Sequence, residues 1–371
     1  MSVATRPIPR TASLPRLSAA LSGDVLRRVE RGVQVATAVH VVVATALLAL
    51  ICGVSEDWWL SAALSYLPRA PYLVFALAIV PAVIVHKWTL AVANCLCGLL
   101  IAGPVMGLCV PIGGSDHGKA ESATDSLLVL TCNIQNGDSD LPLLLAEISD
   151  LRPDVVAIQE AKRGADVLDD HFAGWHTVDV GEFWVASRHP VRLIDECDAE
   201  ATRRTTAIAC EIVGPTQTWL LCDVHLSTAR HGLTQLRWHS PLSGAGVDDL
   251  RWRQWERRLE SEETLKFVSR YSDRPMIVLG DFNTPTSSSL FGDVWGGWQS
   301  AFDVAGYGYG FTSPCNTGRM WPPNTPWLRI DHILCDSGWR VHAAGIGRSA
   351  GSDHRLLWSR VSIDEELGDR N

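Results

Sequence analysis

The sequence predicts an α/β protein: two packed β-sheets with helices outside them, preceded by three apolar helices of membrane length. Three observations predict it. Long uncharged runs are confined to the first 110 residues; short apolar strands crowd the remainder and outnumber its helices; and those strands repeatedly end on polar side chains able to do chemistry. Hydrophobic residues make up 47% of the 371, high for a purely soluble chain, so where they concentrate decides where a membrane is to be sought.

Residues 33–54 hold no charge and are dominated by Val, Ala and Leu, long enough to cross a hydrocarbon layer as one helix. Residues 71–85 and 88–110 are two further runs, parted by His86 and Lys87. The middle run is short; Tyr66 and Leu67 before it and Trp88 after it extend it into the interfaces, where aromatic rings are favoured, and a re-entrant segment is the alternative. Six arginines precede Gly32, whereas the loop 55–70 has Glu56, Asp57 and Arg69. Residues 1–31 are therefore expected to be a basic cytoplasmic terminus, and 32–110 a three-helix membrane domain. A cleavable signal peptide fits less well, because the apolar stretch starts late and further spans follow. Three crossings place everything after Val110 outside the cytoplasm, as in a multi-pass plasma-membrane protein with an extracytoplasmic domain. Two crossings reverse that.

Formal charge is −9 overall, and −13 over the residues after Pro111. Such a domain repels polyanions at long range, which argues against a long nucleic-acid duplex as partner. Of the ten cysteines, none outside the apolar runs has zinc-type spacing. Cys132, Cys210, Cys222 and Cys335 lie in strand-like runs, where a thiol acts as a small hydrophobe; Cys197 with Cys315 is the pair to test for a bridge.

Residues 111–126 are small and polar, a tether. The domain 127–365 follows, with a short tail, 366–371. Its strands are expected at 127–135, 154–159, 183–187, 205–213, 218–226, 276–281, 329–335 and 354–363. Leu141, Leu144, Leu145 and Ile148 recur at helical spacing, and a second helix is expected from Asp248 to about Tyr271. The turn Gly214-Pro215-Thr216-Gln217 reads as a hairpin, so part of the sheet is antiparallel.

Chemistry collects at the strand ends. Leu128–Asn133 delivers an amide, Asp154–Glu160 a carboxylate and Leu220–His225 an imidazole. Met276–Asn283 delivers Asp281 and Asn283, which lie two residues apart on extended chain and so point to one side. Arg329–His332 adds Asp331, and Gly351–His354 adds Asp353 and His354. Oxygen donors dominate and thiolates are absent, a set suited to Mg²⁺ or Mn²⁺. Each residue alone has an ordinary explanation, as a turn cap, a solvated strand end or a satisfied buried histidine. Their joint occurrence in one domain is what points to a site.

These stretches, in this order, resemble the endonuclease/exonuclease/phosphatase superfamily, which includes DNase I-like nucleases, abasic-site endonucleases, neutral sphingomyelinases and inositol polyphosphate phosphatases. The carriers are Thr131-Cys132-Asn133, Ile158-Gln159-Glu160, Val224-His225-Leu226, Gly280-Asp281-Phe282-Asn283, Arg329-Ile330-Asp331-His332 and Ser352-Asp353-His354. The resemblance implies a four-layer α/β sandwich of two mixed sheets over about 126–363. It implies that Glu160, with Asn133 and Asp353 nearby, holds a divalent cation. Asp281, helped by Asn283, would orient or deprotonate the attacking water; Asp331 would pair with His354; His225 would hydrogen-bond a phosphoryl or leaving-group oxygen. The tyrosine that abasic-site endonucleases set against the phosphate has no counterpart after Glu160, where Phe183, Trp184 and Arg188 stand.

Residues 230–258 hold six arginines and three tryptophans. They read either as a rim gripping an anionic head group with indoles at a lipid surface, or as an ordinary helix whose Trp252, Trp255 and Leu259 face the core. Arg203-Arg204 would touch phosphate or solvate an edge, and the aromatic loop from Gly306 to Trp327 would face substrate or stiffen a connection. The architecture also resembles the VanJ-type bacterial membrane proteins, which are associated with glycopeptide resistance and lipid-pyrophosphate hydrolysis. The expected function is thus a membrane-anchored, metal-dependent phosphoester hydrolase acting on a lipid-linked phosphate or pyrophosphate. An extracytoplasmic nuclease and a catalytically silent phosphate-binding module are the alternatives.

Overall fold

The computed structural model describes residues 23–111, 126–137, 140–230, 232–234, 245–315, 322, 324–348 and 352–363. Most of the expected tether, the Arg237-Trp238-His239 stretch and the tail 366–371 lie outside these. The chain forms two compact units, each built from separated stretches: Met1–Ala46 with Pro71–Ile101, and Leu47–Ala70 with Ala102–Asn371.

In the first unit, the helix Gly23–Leu47 is joined by the helices Ile79–Ile84 and Trp88–Leu100. The continuous helical stretches Gly23–Asp57 and Trp88–Val105 are long and apolar enough to cross a membrane, and a third candidate is the pair Trp59–Ser65 and Ala70–Ile84, bent by 84°. Ala70–Ala78 is wound as a 3₁₀ helix ahead of Ile79–Ile84. Because a 3₁₀ helix rises about 2.0 Å per residue, these two segments together reach about 27 Å, close to the roughly 30 Å hydrocarbon thickness. Three polar side chains tie two of the helices together. His40 Nδ1 lies 2.8 Å from Asn94 Oδ1, and Asn94 Nδ2 donates to Thr37 Oγ1 at 2.7 Å. In hydrocarbon such groups have no water to turn to, so they pair across helices.

Among its described residues the second unit holds twelve strands in two six-stranded mixed sheets. In chain order these are β1 (Leu127–Asn133), β2 (Val155–Gln159), β3 (His176–Val180), β4 (Phe183–Ser187), β5 (Val191–Ala199), β6 (Arg204–Val213), β7 (Thr218–His225), β8 (Met276–Asp281), β9 (Gln299–Ser300), β10 (Asp331–Cys335), β11 (Trp339–Ile346) and β12 (Leu357–Ile363). One sheet runs β11-β12-β1-β2-β4-β3 and the other β5-β6-β7-β8-β10-β9. Each has a parallel pair at its centre, β1 with β2 and β7 with β8, so four central strands end at one edge of the sandwich. Ligands collect at such carboxyl ends.

Inward-facing Val129, Val155 and Phe183 of one sheet meet Ile208, Leu221, Ile277 and Ile333 of the other in a continuous apolar layer. Outside the first sheet, Leu144 and Ile148 of the helix Leu141–Leu151 cover Leu130, Val156 and Ile158. Outside the second, Phe267 and Val268 of the long helix Ala245–Ser269 cover Leu220, Cys222 and Val278. This is the expected four-layer sandwich, and all ten cysteines are free thiols.

Two expectations are corrected. Trp252 and Trp255 do not face the core: they are 54% and 47% exposed, with ring centroids 4.7 Å apart. The buried face of that helix is largely polar, carrying Gln254, Arg257, Glu260, Ser261 and Thr264, so hydrophobic periodicity misassigns it. Tyr66 is not at a lipid interface either. It is 7% exposed within the second unit, packed with Ala229, Leu328 and Ile330.

Candidate active site

The strand ends converge. Register places His225 beside Asp281 across β7–β8, Asp331 beside Asp281 across β10–β8, and Asn133 beside Gln159 across β1–β2. Gly280 makes this packing possible. Its φ is +132°, and a Cβ built there would sit 2.0 Å from the Val224 carbonyl oxygen, so only glycine lets β8 lie close enough to present Asp281. Ser352 secures the last motif: its hydroxyl donates to the Asn133 carbonyl at 2.8 Å and accepts from the His354 amide at 3.1 Å.

Asn133, Glu160, His225, Asp281, Asn283, Asp353 and His354 line one cleft. Glu160 and the His354 ring are linked through two side chains. Asn133 Nδ2 donates to Glu160 Oε1 at 3.0 Å and to Asp281 Oδ2 at 3.1 Å, and His354 Nε2 lies 3.7 Å from that same Asp281 oxygen. Asp331 sits behind, fully buried, accepting from His354 Nδ1 at 2.8 Å. That bond commits Nδ1 and leaves Nε2 facing Asp281.

Asp281 accepts from the Asn283 amide N–H at 2.9 Å and from Asn283 Nδ2 at 3.1 Å; Asn283 Nδ2 also donates to the Leu226 carbonyl at 2.8 Å. Asn283 adopts φ +50°, a left-handed conformation that asparagine tolerates, and this turn brings its amide back onto the carboxylate two residues earlier. His225 Nδ1 lies 3.0 Å from Glu182 Oε1, while its Nε2 is 3.6 Å from Glu160 Oε1 and 3.9 Å from Asp281 Oδ2.

The electrostatics follow from burial and charge together. Burial works against the imidazolium of His354, but the carboxylates of Asp331 and Asp281 outweigh it and push the pKa up to about 10. His225 is likewise raised: burial opposes the charged form, and the hydrogen bond and charge of Glu182 overcome it. Burial raises Asp281, the His354 charge opposes that, and Asp331 adds to it. Asp281, Asp331 and His354 bring ligand atoms within 4.8 Å of one another. With its Nδ1 committed to Asp331 and a proton held on the ring, His354 is suited to donate a hydrogen bond, not to ligate a cation.

Glu160 is different. Asn133 and Asn136 donate to its two oxygens at 3.0 and 2.9 Å, both neutral amides. Glu182 and Asp353, the other carboxylates on the cleft wall besides Asp281, are paired with Arg204 and Arg230 at 3.1 and 2.6 Å. Glu160 thus presents a carboxylate whose charge no arginine or lysine among the described residues offsets, the donor chemistry a hard divalent cation takes. Asp353, expected beside it as a ligand, is held by Arg230.

Sequence reasoning missed Glu182 and Asn136. Glu182 sits in the tight turn between β3 and β4, where nothing marks it as a histidine partner. Of the two arginines at 203 and 204, Arg204 lines the cleft; Arg230 and Arg253 of the basic stretch join it there.

Among curated proteins no match is found. Several solved structures are similar at low identity. A Neisseria 3′ phosphatase, NExo, bound to product DNA hairpin is 17% identical, over 64% of this chain and 99% of that one, with a TM-score of 0.48. A D. rerio TDP2 complexed with single-strand DNA product is 15% identical over 64% and 99%, with a TM-score of 0.47. The human Nocturnin catalytic domain with bound sulfate is 17% identical over 65% and 94%, with a TM-score of 0.45. The sequence itself matches a family description across residues 130–354, more than half the chain and every strand end described above, and so the protein belongs to the Endonuclease/Exonuclease/phosphatase family.

Proposed function

We propose that this protein is a membrane-anchored, divalent-metal-dependent phosphoester hydrolase acting on a lipid-linked phosphate or pyrophosphate from the extracytoplasmic side. The observation that carries the catalytic reading is the convergence of Glu160, Asn133, Asp281, Asn283, His225 and His354 on one cleft, with Asp331 behind them.

Glu160, with Asn133, would hold the cation; Asp353 would join them on releasing Arg230. A divalent ion supplies Lewis-acid polarisation of the phosphoryl oxygens when bound. The residues themselves do the rest. Asp281, aimed by the Asn283 amide and raised by burial, accepts a proton from water and directs it at phosphorus. His354, kept protonated by Asp331, offers Nε2–H to an oxygen on which charge accumulates during in-line displacement. His225, oriented by Glu182 through Nδ1, presents Nε2 to a second phosphoryl oxygen or the leaving group.

A lipid-linked substrate is supported by the apolar helices on the same chain and by Arg204, Arg230 and Arg253 on the cleft wall, which suit a second phosphate. Tethering raises effective concentration only for substrates sharing the membrane. This is also the architecture that resembles VanJ-type proteins.

The full chain, purified in detergent with Mg²⁺ or Mn²⁺, is expected to hydrolyse bis(p-nitrophenyl) phosphate, with Asp281→Asn slower by about 10²–10⁴-fold. Equal activity of the two proteins would refute the mechanism. Across lipid pyrophosphate, sphingomyelin, phosphoinositide and single-stranded DNA, turnover is expected to favour lipid pyrophosphate; greater turnover of DNA would refute the substrate class.

A further inference from the structure

We propose that Tyr66, carried on the loop that links the first two apolar runs, is a positioning residue for the catalytic turn at Asn283. This rests on reading the cleft as catalytic. Tyr66 does not line the cleft; it reaches the turn from behind, its hydroxyl donating to the Asn283 carbonyl at 3.1 Å.

The loop is built into the second unit by contacts at both ends. At its start, the buried carboxylate of Glu56 pairs with the fully buried guanidinium of Arg257 at 3.1 Å, and the Glu56 carbonyl accepts from Gln254 Nε2 at 3.3 Å. The Ser55 hydroxyl accepts from the Ser289 amide at 2.8 Å. At its end, the Tyr66 carbonyl accepts from Trp327 Nε1 at 2.9 Å, and Arg69 donates to the Ser287 hydroxyl at 3.0 Å and to the carbonyls of Val105 and Ser65. Ser287 and Ser289 belong to the segment that follows Asn283, so the loop grips that segment at several points along its length. The Tyr66 ring packs on Ala229, Leu328 and Ile330, and the Ile330 carbonyl accepts from the Phe282 amide at 2.9 Å.

Asn283 needs such support. Its backbone is left-handed, its carbonyl is buried, and a buried carbonyl without a partner favours relaxation of the turn. The same turn aims Asn283 Nδ2 at Asp281. Loss of the Tyr66 hydroxyl therefore loosens the amide that orients the general base, without touching substrate contacts. The activity becomes dependent on a segment that composition assigns to the membrane domain.

The test uses the full chain in detergent with Mn²⁺ and bis(p-nitrophenyl) phosphate. Tyr66→Phe should lower kcat by about 3- to 10-fold, the effect of one lost buried hydrogen bond, with KM within about twofold. Amide exchange of the 282–287 peptide should quicken while the peptides of β1 and β2 keep their protection. Trp327→Phe, which frees the Tyr66 backbone, should act in the same direction and stands in if Tyr66→Phe loses core protection. An unchanged kcat overturns the inference, and so does a lowered kcat with unaltered exchange at 282–287. Asp281→Asn is assayed alongside: near-abolished turnover there with no effect at Tyr66 removes this inference alone, whereas intact turnover removes the catalytic reading and this inference with it.

Discussion

Asp223 lies under the site, between the sheets, and replacing it with asparagine should make the protein more stable at pH 8 but not at pH 4. It is fully buried; Oδ1 accepts from Gln159 Nε2 at 2.6 Å, and Oδ2 has no partner among the described residues. Burial pushes its pKa up to about 8, against the opposing pull of the Gln159 hydrogen bond and the His225 charge. An acid raised in the folded state holds its proton more tightly there than in the unfolded chain. Its contribution is therefore complete below about pH 4, declines as pH rises from 4 to 8, and stays lost above that. At about 1.4 kcal/mol per pH unit, the decline between pH 4 and pH 7 is on the order of 4 kcal/mol. An asparagine side chain in its place mimics the neutral acid, keeps an oxygen for Gln159, and does not titrate. Thermal midpoints of the native chain and Asp223→Asn in detergent should coincide near pH 4 and separate by roughly 5–10 °C at pH 8, the variant higher. A gap independent of pH, or a native chain more stable at pH 8, would refute the assignment of a neutral buried carboxyl.

Two further substitutions probe the cleft. Asp331→Asn removes the largest charge holding the proton on His354 against burial, so the alkaline limb of kcat, expected near pH 10 in the native enzyme, should move to lower pH, as read from a full pH–rate profile; an unmoved limb would dissociate His354 from it. Glu160→Gln removes the charge and keeps an acceptor oxygen for only one of the two amide contacts, and the Mn²⁺ concentration giving half-maximal activity should rise by at least about 10-fold in a metal titration, with an unchanged titration arguing for another ligand.

What could be read from the sequence divides along physical lines. The central strands β1, β2, β7 and β8 are mostly apolar runs because both faces are covered, with Asp223 the charged exception inside β7, and burial of that kind is visible in composition. β3 and β5 lie at sheet edges with exposed positions and acids such as Asp195, Glu196 and Asp198, so no apolar run announced them. The candidate site residues were legible because they border such runs: Asn133, Glu160, His225 and Asp281 at the ends of β1, β2, β7 and β8, Asp331 at the start of β10, and Asp353 and His354 just ahead of β12. Glu182 was not, since its role exists only through the packing that brings the β3–β4 turn near the end of β7. The long helix misled for the opposite reason: it buries Arg257 and Glu260 and exposes two tryptophans, and the partners that make this tolerable, Glu56 and Ser227, are remote in sequence.

Residues 47–70 lie between two apolar runs in the sequence yet belong to the hydrolase unit, so that unit is discontinuous along the chain. A fragment begun at residue 102 would lack Ser55, Glu56, Tyr66 and Arg69, and would leave the buried Arg257 without its carboxylate and the Asn283 carbonyl without the Tyr66 hydroxyl.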